Sequence, residues 1–125
     1  VKAGQPVDLK MGLVNCIWQG DANVYALRAL KLCEAPAKIL NVTGPETISV
    51  RWAAEEFAKR FGTTAKFVGE EGQTALLNNS SLAHKLFGYP RVTLAQMMDW
   101  VCEWMEADGM LLDKPTGFQE TEGKF

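Results

Sequence analysis

Asn15, Gln19 and Asp21 are the residues of this chain whose types and spacing best suit contact with a ligand. They fall in Val14-Asn15-Cys16-Ile17-Trp18-Gln19-Gly20-Asp21, where a β-prone run meets a turn and a helix start. In open α/β arrangements ligands gather at the carboxyl ends of strands. Amide and carboxylate side chains at such a corner therefore suit hydrogen bonding to a small polar substrate. The same residues also read as plain structure, with Asp21 capping its helix and Gln19 facing water.

No catalytic set accompanies them. His84, the one histidine, sits beside Lys85 with no acid or nucleophile at recognisable spacing, so a surface or helix-end histidine is expected. Glu70-Glu71 and Glu120-Thr121-Glu122 are adjacent loop charges, which ordinarily hydrate. The Gly69-Glu70-Glu71-Gly72 run approaches the spacing of a dinucleotide loop, but its glutamates would repel a pyrophosphate and strand-like residues follow it. Neither tyrosine has a lysine four residues on, since Tyr25 leads to Ala29 and Tyr89 to Thr93. Cys16, Cys33 and Cys102 are odd in number and far apart, which disfavours zinc and disulfides. As buried-looking thiols they fit a reducing, cytoplasmic compartment. No catalytic, cofactor-binding or metal-ligating residue is assigned.

The elements that must position the corner follow from periodicity. Strands are expected near 14–18, 38–43 and 66–68, with a fourth run at Thr74–Leu77. Helices are expected near 21–34, 49–61, 81–87 and 93–107. Ser49, Ser80 or Ser81, and Thr93 supply the later caps, and the tail from Lys114 to Phe125 is expected to be irregular. The helix after Asp21 is apolar on nearly every side, through Val24, Leu27, Leu30 and Leu32 among others, so a neighbouring domain or subunit is expected to cover part of it. In the next helix, Glu55 with Lys59 and Glu56 with Arg60 make i,i+4 pairs on the wet side. In the last, Leu94, Met97, Met98, Val101 and Met105 form a core stripe beside Trp100 and Trp104. The fold class expected is α+β, a small mixed sheet of short strands with about four helices.

Length and composition set the outer bounds. At 125 residues the chain has the size of one domain, and it is 47% hydrophobic and 22% charged, which is globular usage. Its 13 basic and 15 acidic residues are interspersed, leaving no basic stripe for phosphates, so nucleic acid is not expected as a partner. No apolar run is long enough to cross a bilayer, so no membrane is expected. A start at Val1 permits a fragment or a processed product. The three Asn-x-Ser/Thr matches beginning at Asn41, Asn78 and Asn79 read as chance.

At these same residues the chain resembles the C-terminal region of the NAD-dependent epimerase/dehydratase family, the extended short-chain dehydrogenases/reductases. Val14 to Ala22 is similar to that family's strand-to-helix segment. Leu40-Asn41-Val42-Thr43-Gly44 with Ile48-Ser49-Val50-Arg51 is similar to its next strand and helix opening. Leu77 to Pro90 is similar to its late segment, and the likeness runs from about Val14 to Met105. The resemblance implies a two-domain parent, in which an N-terminal Rossmann domain holds NAD or NADP and a Tyr-Lys pair. Residues 1–125 would be the single, substrate-side domain, binding no cofactor and inactive alone. Its partners would be the Rossmann domain and a sugar or related hydroxylated small molecule, with self-association as a further mode. Where nucleotide-sugar members carry diphosphate-holding arginines, this chain has Leu13 and Val14, and Glu70 and Glu71, which argues against such a substrate and admits a smaller or uncharged one. The alternative is a stand-alone, non-enzymatic binding or interaction module.

Overall fold

A computed structural model describes residues 1–112 and Lys114; the expected irregular tail otherwise lies outside the described residues. Two compact units account for the chain. One is built from Val1–Val14, Ile48–Leu76 and the segment from Met98 onward, the other from Asn15–Thr47 and Leu77–Met97.

In the first unit β1 (Val7–Asp8) pairs in parallel with β4 (Phe67–Val68), with Val7 opposite Phe67. β2 (Leu13–Val14) pairs antiparallel with β3 (Ile48–Ser49), with Val14 opposite Ile48. The two ladders are separate two-stranded sheets, one of each sense, where a single mixed sheet was expected. α2 (Val50–Arg60) follows β3 directly: Ser49 Oγ accepts the Trp52 N–H at 3.3 Å, the cap expected of it. Gly62, at φ 62°, takes the left-handed conformation just past the helix end. Leu9, Met11, Ile48, Val50, Ala54, Ala58, Met98 and Cys102 are the buried apolar residues of this unit. Burial pushes the Cys102 thiol above the ordinary cysteine range.

The second unit holds α1 (Gln19–Ala29), a 3-10 turn (Leu30–Leu32) and α3 (Ser81–Phe87). α4 (Leu94–Glu106) begins in this unit, and from Met98 it belongs to the first. Thr93 Oγ1 accepts the Gln96 N–H at 3.3 Å, as its cap role requires. Tyr25 and Ala83 are the buried apolar residues here. Asp21, Thr43 and Ser80 are the buried polar ones.

The α+β class and four helices agree with the sequence, and several boundaries do not. The strand expected at 14–18 is limited to Leu13–Val14, because Asn15 turns to hydrogen-bond Asn78. The run 38–43 forms no ladder: among the described residues no strand lies beside it, and a β-prone sequence without a neighbour has nothing to pair with. Thr74–Leu77 likewise forms no strand. β1 and β3 are two-residue strands too short to show alternation. The first helix is α-helical only to Ala29 and ends with the 3-10 turn, short of the expected Glu34. On α4 Leu94, Met97, Met98 and Met105 of the expected stripe are buried or half-buried, while Val101 is 48% exposed and Cys102 is buried in its stead. Of the three cysteines, only Cys102 is buried.

On α2, Glu56 accepts from Lys59 Nζ at 2.5 Å and from Arg60 Nη1 at 3.0 Å, so Lys59 turns to Glu56 and not to Glu55. Arg60 Nε also reaches Asp99 Oδ1 at 2.8 Å. The hydrogen bonds from Lys59 and then Arg60 hold the Glu56 carboxyl below the ordinary glutamate range. A lowered folded pKa means the contribution is complete above the ordinary range and fades as pH falls through the lowered value. Glu56→Gln is therefore expected to lower the melting temperature at neutral pH. That difference should shrink on acidification, as thermal melts across the acid range would record.

Candidate functional site

The corner at the start of α1 is held from the far end of the second unit. Asp21 is 5% exposed, and its Oδ2 accepts the backbone N–H groups of Arg91 and Val92, both at 3.0 Å. It does not cap its own helix: Trp18 takes the cap position with an extended backbone and no side-chain capping bond, which leaves Asp21 in the first turn. A carboxylate there also favours the positive end of the helix dipole. Tyr25, one turn on, donates its hydroxyl to Gly88 O, and its ring lies 5.4 Å from that of Phe87. Arg28 Nη1 donates to Phe87 O at 2.7 Å. Asp21, Tyr25 and Arg28 thus fasten one face of α1 to the end of α3 and the turn after it.

Asn15 makes a reciprocal pair with Asn78, donating Nδ2–H to its carbonyl at 2.7 Å and accepting its N–H at 3.3 Å. Gly44 N–H donates to Cys16 O at 3.0 Å, and a Cβ on Gly44 would sit 2.2 Å from that oxygen. Only glycine lets these backbones approach so closely. His84 Nε2 lies 3.0 Å from Thr43 O and 3.2 Å from Ser80 Oγ, so this half-buried histidine, in the last turn of α3 as a helix-end residue, ties two segments together. The i,i+4 spacing of Ser80 and His84 was the available signal.

These ties wall a cleft of about 380 Å3 lined by Asn15, Thr47, Asn78, Asn79, His84 and Tyr89 among others. Of the three expected site residues, only Asn15 lines it. Gln19 is the exposed first residue of α1, and Asp21 is buried against backbone. Sequence reasoning missed Thr47, Asn79 and Tyr89, which stand in loops without periodicity. Glu71, expected to hydrate, takes Arg51 Nε at 2.8 Å in the other unit.

A second recess, about 450 Å3 and strongly apolar, runs between α1, the segment after it and α3. Leu30, Leu32, Ile39, Leu82 and Leu86 line it, and Ile39 is 87% exposed. Only Asp21 and Tyr25 of α1 are buried, while Leu27 is 68% exposed. Among the described residues no group of histidine, cysteine and acidic side chains could hold a metal ion, and no helix is long and apolar enough to cross a membrane.

At the level of fold, the short strands and the four helices of the described residues match part of a larger solved structure. One such solved structure is UDP-glucuronic acid 4-epimerase from Bacillus cereus, in complex with NAD. The match has a TM-score of 0.64 and 18% identity, and covers 84% of this chain and 35% of that one. The chain thus spans about a third of that enzyme's length. No family model matches the sequence, and no curated protein gives a match.

Removing the Asp21 carboxylate strips two backbone donors of a charged acceptor. Asp21→Ala is expected to destabilise the chain by about 2–3 kcal/mol, and Asp21→Asn by less, because the amide keeps an acceptor without the charge. Denaturant unfolding of the two variants checks the order; equal stability for wild type and Asp21→Ala would contradict it.

Proposed function

We propose that this chain is the substrate-side domain of an NAD(P)-dependent epimerase, dehydratase or reductase acting on a sugar or related hydroxylated small molecule. An N-terminal Rossmann domain of the parent would hold the cofactor and the catalytic residues. The observation that carries this reading is the fold likeness, which takes in 84% of this chain yet only 35% of an NAD-bound epimerase.

Two physical features support it. The sequence offers no set of glycines at dinucleotide-loop spacing between a strand and a helix, where backbone amides would meet a pyrophosphate. The α1 face and the apolar recess leave large side chains in water, and contiguous apolar surface of this kind marks an interface. In this reading the Rossmann domain covers that face. Asn15 and Gln19 stand on the substrate side, and Asp21 serves the same corner by holding the turn at Arg91 and Val92 in place. The parent's compartment, in this reading, is the cytoplasm.

The isolated chain is then expected to bind neither NAD nor NADH, to turn nothing over, and to self-associate through the α1 face in place of the missing cover. Calorimetric titration with both cofactors and sedimentation of the chain beside Leu30→Glu test these points. Micromolar cofactor binding would overturn the division of labour, and monomers for both chains would overturn the use of the α1 face.

A further inference from the structure

The geometry points to the cleft around Asn15 as a subsite for an uncharged, polyhydroxylated ring, a neutral sugar unit without a phosphate. This inference rests on the substrate-side reading above and adds to it the residues and the charge state of what they receive.

The cleft's size comes first: about 380 Å3 lies within the range of small-molecule sites, at the end that suits one ring. Its walls are fixed before any ligand arrives. The Asn15–Asn78 pair, the Gly44–Cys16 contact and the His84–Thr43 contact each join segments distant in sequence, so little order remains to be imposed on binding.

The polar side chains facing the space are amides, hydroxyls and the His84 imidazole, and among the described residues no lysine, arginine or acid lines it. Asn15 is occupied by its partner. Among the described residues, by contrast, the Thr47 hydroxyl, the Asn79 amide nitrogen and the Tyr89 hydroxyl make no hydrogen bond. These are two groups that both donate and accept and one pure donor, a set that matches sugar hydroxyls, which do both.

Tyr89 adds the apolar half of such a site. Tyr89 is 71% exposed, and its ring lies 4.9 Å from the His84 ring, at 37° to it. An exposed aromatic ring beside the cleft offers a flat apolar face, and the C–H face of a sugar ring is the complementary surface. An anion finds the reverse. Glu46, whose Oε2 lies 3.9 Å from where a Cβ on Gly44 would be, sets a negative charge beside the wall, and among the described residues no lysine or arginine lines the cleft to offset it.

Amide-resolved NMR titration of the 125-residue chain tests this, using D-glucose, D-galactose and N-acetyl-D-glucosamine as neutral probes and UDP as the anionic one. At least one neutral sugar is expected to shift the Asn79, Ser81 and Tyr89 signals saturably, while UDP leaves them in place. Tyr89→Ala should weaken that binding about tenfold and Thr47→Val about fivefold, with unchanged melting temperatures. Saturable shifts with none of the three sugars, tighter binding of UDP at these signals, or variants that bind like wild type would each overturn the proposal. Cofactor titration of the chain fails or succeeds separately: NAD binding here would sink the substrate-side reading, whereas a missing sugar response with no NAD binding sinks the subsite alone.

Discussion

A single buried carboxylate governs how the second unit is put together. Asp21 accepts from two successive backbone N–H groups, those of Arg91 and Val92, and so fixes where the chain must be when it enters α4. Everything around it presupposes that placement. The Tyr25 hydroxyl meets Gly88 and the Arg28 guanidinium meets Phe87 because α1 already lies against that turn. A buried charge needs such partners, since an ionised group without them would be strongly disfavoured away from water.

The same tie decides which surfaces remain open. With Asp21 and Tyr25 turned inward, the large apolar residues Val24 and Leu27 of α1, and Leu30 just after it, remain exposed among the described residues. Polar and apolar surfaces are thereby separated. The amide-lined cleft is bounded by Asn15, Asn78 and Tyr89, and the apolar recess by Leu30, Ile39 and Leu86, so one small unit presents two surfaces of different chemistry.

The helices were legible because their signals are local. Ser49 and Thr93 cap where a capping residue precedes an apolar period, and Gly62 and Gly88 stand just beyond the ends of α2 and α3. Strands were less legible, since pairing depends on a partner. Leu40 to Thr43 is as β-prone as any run in the chain and pairs with nothing among the described residues, while Val7–Asp8 pairs despite its modest composition because Phe67–Val68 comes alongside. At the site, the corner residues were visible as types, but their directions were not. Only the contact across 70 residues shows that Asp21 faces inward to Arg91. Thr47, Asn79 and Tyr89 come together through loops, and sequence spacing carries no signal for that.

Both units are discontinuous in sequence, and this shapes how the chain can fold. The second unit needs 15–47 and 77–97 together, and residues 48–76 between them belong to the first. The bonds from Arg91 and Val92 to Asp21 close loops of 70 and 71 residues, so a long stretch of chain must be restrained before they form. Loop-closure entropy grows only slowly with length, so the penalty in stability is modest, but contacts this distant slow the search for the folded state. During synthesis the carboxylate of Asp21 must wait until Arg91 and then Val92 have been made, and before Arg91 α1 has neither of these two anchoring donors.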